Sequence, residues 1–102
     1  MPTATLTWNA VTTNKDGSAI TDLAGYEVFR GLGAASPTLL ATLGIVTTYT
    51  DTSIPAVSQN VSYEVRAFDA PTGNRGDFSN IVTKVIDTNP PAAPTGLTVV
   101  IS

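Results

Sequence analysis

The sequence predicts an all-β, two-sheet sandwich, and three stretches carry that prediction. Residues 3–10 alternate polar and apolar side chains and contain the single tryptophan, Trp8. Tyr26 lies in a second alternating stretch at residues 23–30, and residues 60–69 form a third. An early tryptophan followed by later alternating strands is typical of two antiparallel sheets packed over one core. No segment has a helical period, so no helix is predicted.

Each strand is predicted from period-two alternation, and turn residues such as Asp16-Gly17 separate one strand from the next. In the second strand Tyr26 points inward, whereas Glu27 points outward. In the central strand the inward positions are all apolar except for the ring hydroxyl of Tyr63. The last strand has apolar residues on both faces, so its facing is ambiguous. The six predicted strands occupy residues 3–10, 23–30, 38–43, 47–52, 60–69 and 78–86.

The composition limits the classes of function. A chain of 102 residues predicts one domain, and its net charge of −3 with only five Lys+Arg gives no basic surface for nucleic acid or anionic lipid. No apolar run approaches the ~20 residues that a membrane span needs. The sequence has no His and no Cys, so the usual general base, thiol nucleophile and zinc ligands are missing. We therefore expect no enzymatic activity, no cofactor, no nucleic-acid partner and no membrane insertion.

The surface composition favours an extracellular or cell-surface parent protein. Charged residues make up 13% of the chain, about half the usual share. Threonine, serine and asparagine are plentiful instead. The start of the chain has neither a basic nor an apolar segment of the kind found in a signal peptide. We expect any export signal to lie elsewhere in the parent protein.

The chain contains the following motifs in this order: Leu6-Thr-Trp8, Asp16-Gly17 followed by Leu23-Ala-Gly-Tyr26-Glu-Val28, Thr48-Tyr-Thr-Asp51, Tyr63-Glu-Val-Arg-Ala67-Phe-Asp69, and Gly73-Asn74 leading to Phe78-Ser-Asn80. Together they resemble a fibronectin type III domain of the bacterial kind. The resemblance implies an immunoglobulin-like sandwich that acts as a spacer or protein-interaction domain beside neighbouring domains of hydrolases, adhesins or phage structural proteins. It spans residues 5–82 in the family's order and spacing.

Two features depart from the family's pattern. Val61 stands where the family places a tyrosine whose hydroxyl binds the backbone, so we expect that bond to be absent or to be replaced, with Tyr63 as the candidate replacement. The family's first strand, which precedes residue 3, is missing. The C-terminal tail, by contrast, resembles the opening of such a domain. We therefore divide the chain into a sandwich at residues 1–86, a Pro-rich linker at 87–94 and a C-terminal strand at 95–102.

The tail has two interpretations. In the first, it is the opening strand of a following repeat in a tandem array. In the second, residues 97–101 pair with the vacant edge of strand 3–10, because an unpaired apolar edge favours strand addition. The pairing would occur within one chain or between the chain and a second copy.

Candidate binding residues lie on the outward face and in the last loop. Phe29, Phe68 and Phe78 are candidates for an exposed aromatic patch that binds a sugar ring or a partner protein. More often, such aromatic residues stack on one another or under the neighbouring edge strand. Arg75-Gly76-Asp77 resembles the integrin-binding tripeptide, although three-residue matches often arise by chance. These residues carry the alternative function of an adhesion module that binds carbohydrate or cell surfaces.

Charged residues give two further expectations. Glu27 and Arg66 are predicted to pair across neighbouring strands on the outward face. Loop aspartates invite a calcium interpretation, but without an EF-hand spacing turn chemistry is preferred and no metal site is predicted. The aspartates concerned are Asp16, Asp22, Asp51, Asp69 and Asp77.

Overall fold

The computed structural model describes residues 2–102, and within them it contains six strands and no helix. The strands form two antiparallel sheets, one with the order β1-β4 and the other with the order β3-β2-β5-β6. The predicted all-β sandwich is confirmed. No helix of the described residues is long and apolar enough to cross a membrane. The strands are β1 (Ala4–Thr7), β2 (Leu23–Leu32), β3 (Thr38–Leu43), β4 (Thr48–Asp51), β5 (Gln59–Asp69) and β6 (Val82–Ile86).

The core lies between the sheets and follows the predicted alternation. Tyr26 and Val28 of β2 are buried, and so are the inward residues of β5 from Val61 to Ala67. The Trp8 ring lies 5.4 Å from the Tyr26 ring, at an interplanar angle of 58°. Trp8 itself is only half-buried, because β1 has a strand on one edge alone in the described part of the chain. The core therefore closes fully over β2 and β5 but incompletely beneath β1.

The backbone-binding tyrosine is not the one predicted. The hydroxyl of Tyr26 accepts a hydrogen bond of 2.9 Å from the backbone N–H of Val11 and so fixes the loop that follows β1. Tyr63 donates its hydroxyl to the Asp51 carboxylate instead. The prediction that Tyr63 supplies a backbone bond is therefore wrong. The reason is that a carboxylate is a stronger acceptor than a carbonyl and lies within reach.

The last strand is shorter than predicted. β6 begins at Val82, whereas the alternation placed its start at residue 78. Ser79 still contacts β5: its N–H donates to the Val65 carbonyl at 2.7 Å, and its hydroxyl accepts from the Val65 N–H at 3.0 Å. Because a side-chain hydroxyl takes the place of a backbone acceptor, the regular ladder cannot start there.

The C-terminal tail forms no strand within its own chain. Residues 87–102 are exposed, and Leu97 and Ile101 retain 88% and 91% of their accessible surface. Pairing of residues 97–101 with β1 of the same molecule is therefore absent, and that form of the prediction is wrong. The Pro-rich linker at residues 87–94 explains this, since prolines favour an extended segment that does not fold back. Pairing with a second copy stays a prediction.

Two glycines at the ends of neighbouring strands provide a test of the sheet. A Cβ atom on Gly25 would lie 2.0 Å from the Leu43 carbonyl oxygen, whereas one on Gly44 would meet no atom within 4 Å. We expect Gly25→Ala to lower the free energy of unfolding by about 2–3 kcal/mol, because β3 must move away from β2. Gly44→Ala should change it by less than about 0.5 kcal/mol. Urea unfolding checks this, and equal midpoints for the two variants would contradict the β2–β3 packing.

Candidate functional site

The outward face of β2 and β5 brings several predicted site residues together. Glu27 lies opposite Arg66 in the register of the two strands, and Phe29 lies opposite Glu64. Paired residues of antiparallel strands point to the same face of a sheet, so these four side chains share one surface. We call this surface the β2–β5 face.

Glu27 is the centre of the β2–β5 face. Its Oε1 accepts hydrogen bonds from Arg66 Nε at 2.9 Å and from Arg75 Nε at 3.0 Å. The predicted Glu27–Arg66 pair is confirmed, whereas the second arginine was not predicted. The two guanidinium groups cover the carboxylate so well that Glu27 is only 5% exposed, despite pointing away from the core.

The charge state of Glu27 follows from opposing influences. Burial by itself raises the pKa of this carboxyl, because it disfavours the charged form. The hydrogen bonds from Arg75 and Arg66, together with their positive charges, outweigh burial and lower the pKa. Glu27 is therefore an ionised structural partner at neutral pH and has no proton to donate to a substrate.

The predicted aromatic patch is only partly assembled. Phe29 and Phe78 meet edge to face, with ring centroids 4.9 Å apart and planes at 89°. The Arg66 guanidinium lies over both rings, 4.9 Å from the first centroid and 4.7 Å from the second. Phe78 remains 40% exposed. The edge-to-face geometry and the arginine cover leave no flat platform of two rings for a sugar to stack on.

Phe68 belongs to a different part of the surface. It lies opposite Gly25, toward the far end of β5 from the Phe29 position. There it lines a shallow pocket of about 350 Å³ together with Val11, Ile20 and Arg75. The structure therefore does not bring the three phenylalanines into one patch.

The two charged ends of the Arg75-Gly76-Asp77 tripeptide have separate partners. Arg75 binds Glu27 and donates from Nη1 to the Gly73 carbonyl at 2.8 Å. Asp77 forms an exposed ion pair of 3.0 Å with Lys15. Such an exposed pair contributes little to stability. Arg75 is thus fixed against the sheet, whereas Asp77 stays at the surface.

The loop aspartates show turn chemistry. Asp16 accepts hydrogen bonds from the backbone and hydroxyl of Ser18, and Asp69 accepts from the backbone N–H of Asn74. Among residues 2–102 no group of three or more potential metal ligands is close enough to hold an ion. The preference for turn chemistry at these two aspartates is confirmed.

A second charged cluster, at Asp51, lies inside the sandwich. The Asp51 side chain is fully buried at the end of β4. Its Oδ2 accepts from Tyr63 Oη at 2.6 Å and from Arg30 Nη1 at 3.0 Å. Its Oδ1 accepts from the backbone N–H of Ser53 at 2.9 Å and from the Ser53 hydroxyl at 2.8 Å. Four donors thus satisfy one buried carboxylate.

The hydrogen-bond donors around Asp51 keep its carboxyl ionised. Burial, the strongest single influence, raises the pKa of Asp51, but the bonds from Tyr63, Ser53 and Arg30 together lower it to about 2. Burial and the neighbouring carboxylate raise the pKa of Tyr63 well above its usual value. At neutral pH the cluster is a fixed carboxylate held by a neutral phenol and a guanidinium.

The Asp51 cluster was missed by sequence reasoning, although a signal for it exists. Arg30 follows Tyr26 and Val28 at spacing two, which places it on the core-facing side of β2. An arginine at a core-facing position requires a buried acceptor. The Asp51-Thr-Ser53 stretch has the spacing of an Asx turn that could supply one.

No protein-family model, no curated protein and no solved structure matches this chain. The likeness to fibronectin type III domains therefore stays a prediction from the sequence motifs, and the sheet arrangement itself supports only a two-sheet sandwich.

We expect the Asp51 cluster to make stability depend on acid pH. The unfolded carboxyl has a pKa near 3.8 and the folded one about 2, so the folded state binds the proton more weakly. Its contribution, about 2–3 kcal/mol, is complete above about pH 5 and is lost progressively as the pH falls through about 4 toward 2 and below. Urea unfolding across this range measures the slope.

Asp51→Asn provides the matched comparison. It should remove most of that acid dependence and lower stability at pH 7 by about 3 kcal/mol, because Arg30 loses its charged partner in the interior. The control is Asp77→Asn, which removes an exposed pair and should cost less than about 0.5 kcal/mol. An unchanged acid slope in Asp51→Asn would refute the assignment.

A second prediction concerns the β2–β5 face. Glu27→Gln should cost about 2 kcal/mol, because both arginines lose a charged acceptor. It should also speed amide exchange around residues 73–76, since Arg75 no longer holds that loop. Glu64→Gln changes a half-buried glutamate of the neighbouring strand in the same way and should leave both measurements nearly unchanged. Equal effects of the two changes would contradict the central role of Glu27.

Proposed function

We propose that this chain is a non-catalytic fibronectin type III-like module in a bacterial secreted or surface protein. In this proposal it acts as a spacer or protein-interaction domain that holds its neighbours in place. The observation that carries the proposal is the use of its buried charges. Glu27 and Asp51 each accept several hydrogen bonds from neighbouring strands and loops, and these donors lower the pKa of both carboxyls.

Saturated carboxylates suit a mechanical role better than a chemical one. A general acid must hold a proton near neutral pH, and a general base or nucleophile needs a free lone pair facing a substrate. Glu27 instead ties β2 to β5 and to the following loop. Asp51 ties β4 to β2 and β5. The ion pairs and hydrogen bonds of these two carboxylates thus join the strands and stiffen the sandwich.

The sequence motifs supply the remaining support. They follow the order of a bacterial fibronectin type III domain, and the low-charge, threonine-rich surface is typical of exported proteins. The choice of a spacer or interaction role rests on that likeness, since one fold serves many functions.

Nuclear magnetic resonance distinguishes this proposal from the adhesion alternative. A spacer should behave as one rigid body, so backbone order parameters should stay near 0.85 across the strands of both sheets. Adding soluble cell-surface polysaccharides should leave the amides of Phe29, Arg66 and Phe78 unshifted. Saturable shifts on this face that Phe78→Ala removes would overturn the spacer role and establish carbohydrate binding. Ile45→Ala, which alters an exposed side chain in the loop between β3 and β4, is the control.

A further inference from the structure

β1 borders an open groove. Within residues 2–102 it pairs only with β4, so no described strand lies along its other edge. Along that edge runs a groove of about 890 Å³ between the two sheets. Apolar side chains of β1, β5 and β6 form much of its wall, including Leu6, Trp8, Val61, Val65, Val82 and Ile86.

The open edge of β1 has free backbone groups. The N–H of Trp8 donates to the Thr47 carbonyl at 3.0 Å, on the β4 side. Because hydrogen-bonded positions alternate along an antiparallel strand, Leu6 and Ala4 also face β4. Thr5 and Thr7 therefore direct their backbone N–H and C=O groups toward the groove. Such an edge is a template for an incoming strand.

The tail has the properties of a strand without a sheet. Leu97, Val99 and Ile101 occupy alternate positions and retain 88%, 77% and 91% of their accessible surface. In an extended chain these three side chains share one face. Residues 95–102 carry no charged side chain, and neither do residues 3–10, so no charge opposes their pairing.

The strand directions determine whether the tail can enter the groove of its own molecule or the groove of a neighbouring molecule. Trp8 packs on Tyr26, which lies opposite Ala67 near the C-terminal end of β5. β6 ends at Ile86, opposite Gln59 at the other end of β5. The tail therefore leaves the sandwich about 26 Å, or eight strand residues, from the level of Trp8.

A strand that runs antiparallel to β1 has to enter the groove beside Trp8. The tail of the same molecule departs at the opposite end, and it would have to run back along the whole sandwich before entering. The tail of another molecule, placed end to end, arrives at the Trp8 end directly.

We propose that the groove beside β1 receives residues 97–101 of a second copy of this chain as an added antiparallel strand. Leu97, Val99 and Ile101 face the core in this arrangement, and the backbone of Thr5 and Thr7 binds the incoming strand. The donor and acceptor surfaces differ, so the contact is heterologous and each molecule can bind a further one. With the molecules placed end to end, this contact builds a linear chain. This inference is independent of the spacer proposal.

Complementary variants test the proposal. Val99→Asp places a charge on the core-facing side of the tail and should weaken association by at least ~100-fold. Val100→Asp makes the same change one residue further, on the other face, and should associate like the unchanged chain. Thr5→Pro removes a free N–H from the acceptor edge, where proline is tolerated. By sedimentation velocity, the unchanged chain should form concentration-dependent linear oligomers, whereas Val99→Asp and Thr5→Pro should each be monomeric.

An equimolar mixture of the two defective variants gives the decisive result. Thr5→Pro still supplies a competent tail and Val99→Asp still supplies a competent groove, so the mixture should stop at a dimer. Trp8, the only tryptophan, lines the groove, and its emission should shift to shorter wavelength in the mixture. A monomeric mixture of folded variants, or association of Val99→Asp equal to that of Val100→Asp, overturns the proposal.

If Thr5→Pro does not fold, a synthetic peptide tests the same contact. Residues 95–102 as a synthetic peptide, added to the Val99→Asp chain, should shift the Trp8 emission, and the same peptide with Val99→Asp should not. An unchanged chain that stays monomeric at millimolar concentration also overturns the proposal, even if its own tail protects Trp8.

Discussion

The buried carboxylate of Asp51 is the interaction on which the packing of the two sheets depends. It lies in β4, in the two-stranded sheet, while Arg30 and Tyr63, two of its donors, lie in β2 and β5 of the other sheet. Apolar packing between sheets is not directional, so it allows sliding by small steps. Hydrogen bonds of 2.6–3.0 Å to one carboxylate prevent the sheets from sliding, because a shift of about 1 Å would break them. Asp51 therefore fixes where the small sheet lies on the large one.

A second buried carboxylate lies on the opposite face of the large sheet. Glu27 lies on the outer side of β2, and Asp51 meets the same strand pair from the inner side. All three arginines of the chain bind one of these two carboxylates: Arg30 binds Asp51, whereas Arg66 and Arg75 bind Glu27. A chain with only five basic residues has thus used most of its positive charge internally.

The elements that the sequence predicted correctly depend on local periodicity. β3 matches its predicted bounds, β5 differs by one residue, and Tyr26, Val28 and Val61 are buried as the alternation requires. The Glu27–Arg66 pair was also predictable, because opposite positions of neighbouring strands follow from the register alone. The misses depend on long side chains and loops. Arg75 reaches Glu27 from a loop whose path no periodicity determines, and the Ser79 hydroxyl ends a ladder that apolar alternation would have continued.

The half-buried Trp8 and the exposed tail both leave apolar surface in contact with water. Trp8 Nε1 is the one buried side-chain nitrogen or oxygen within residues 2–102 that has no hydrogen-bond partner, and the wall beside it is open. At the other end of the molecule, three alternate apolar side chains of the tail have no surface to cover. The apolar surface of the groove and that of the tail are both unfavourable in water, because exposed apolar area costs about 25 cal/mol per Å². Filling the groove with a strand removes both costs at once, and the strand directions allow a neighbouring molecule to do so without bending its linker back. The groove beside β1 and the exposed tail are therefore complementary in apolar character and strand direction, as the proposed contact between copies requires.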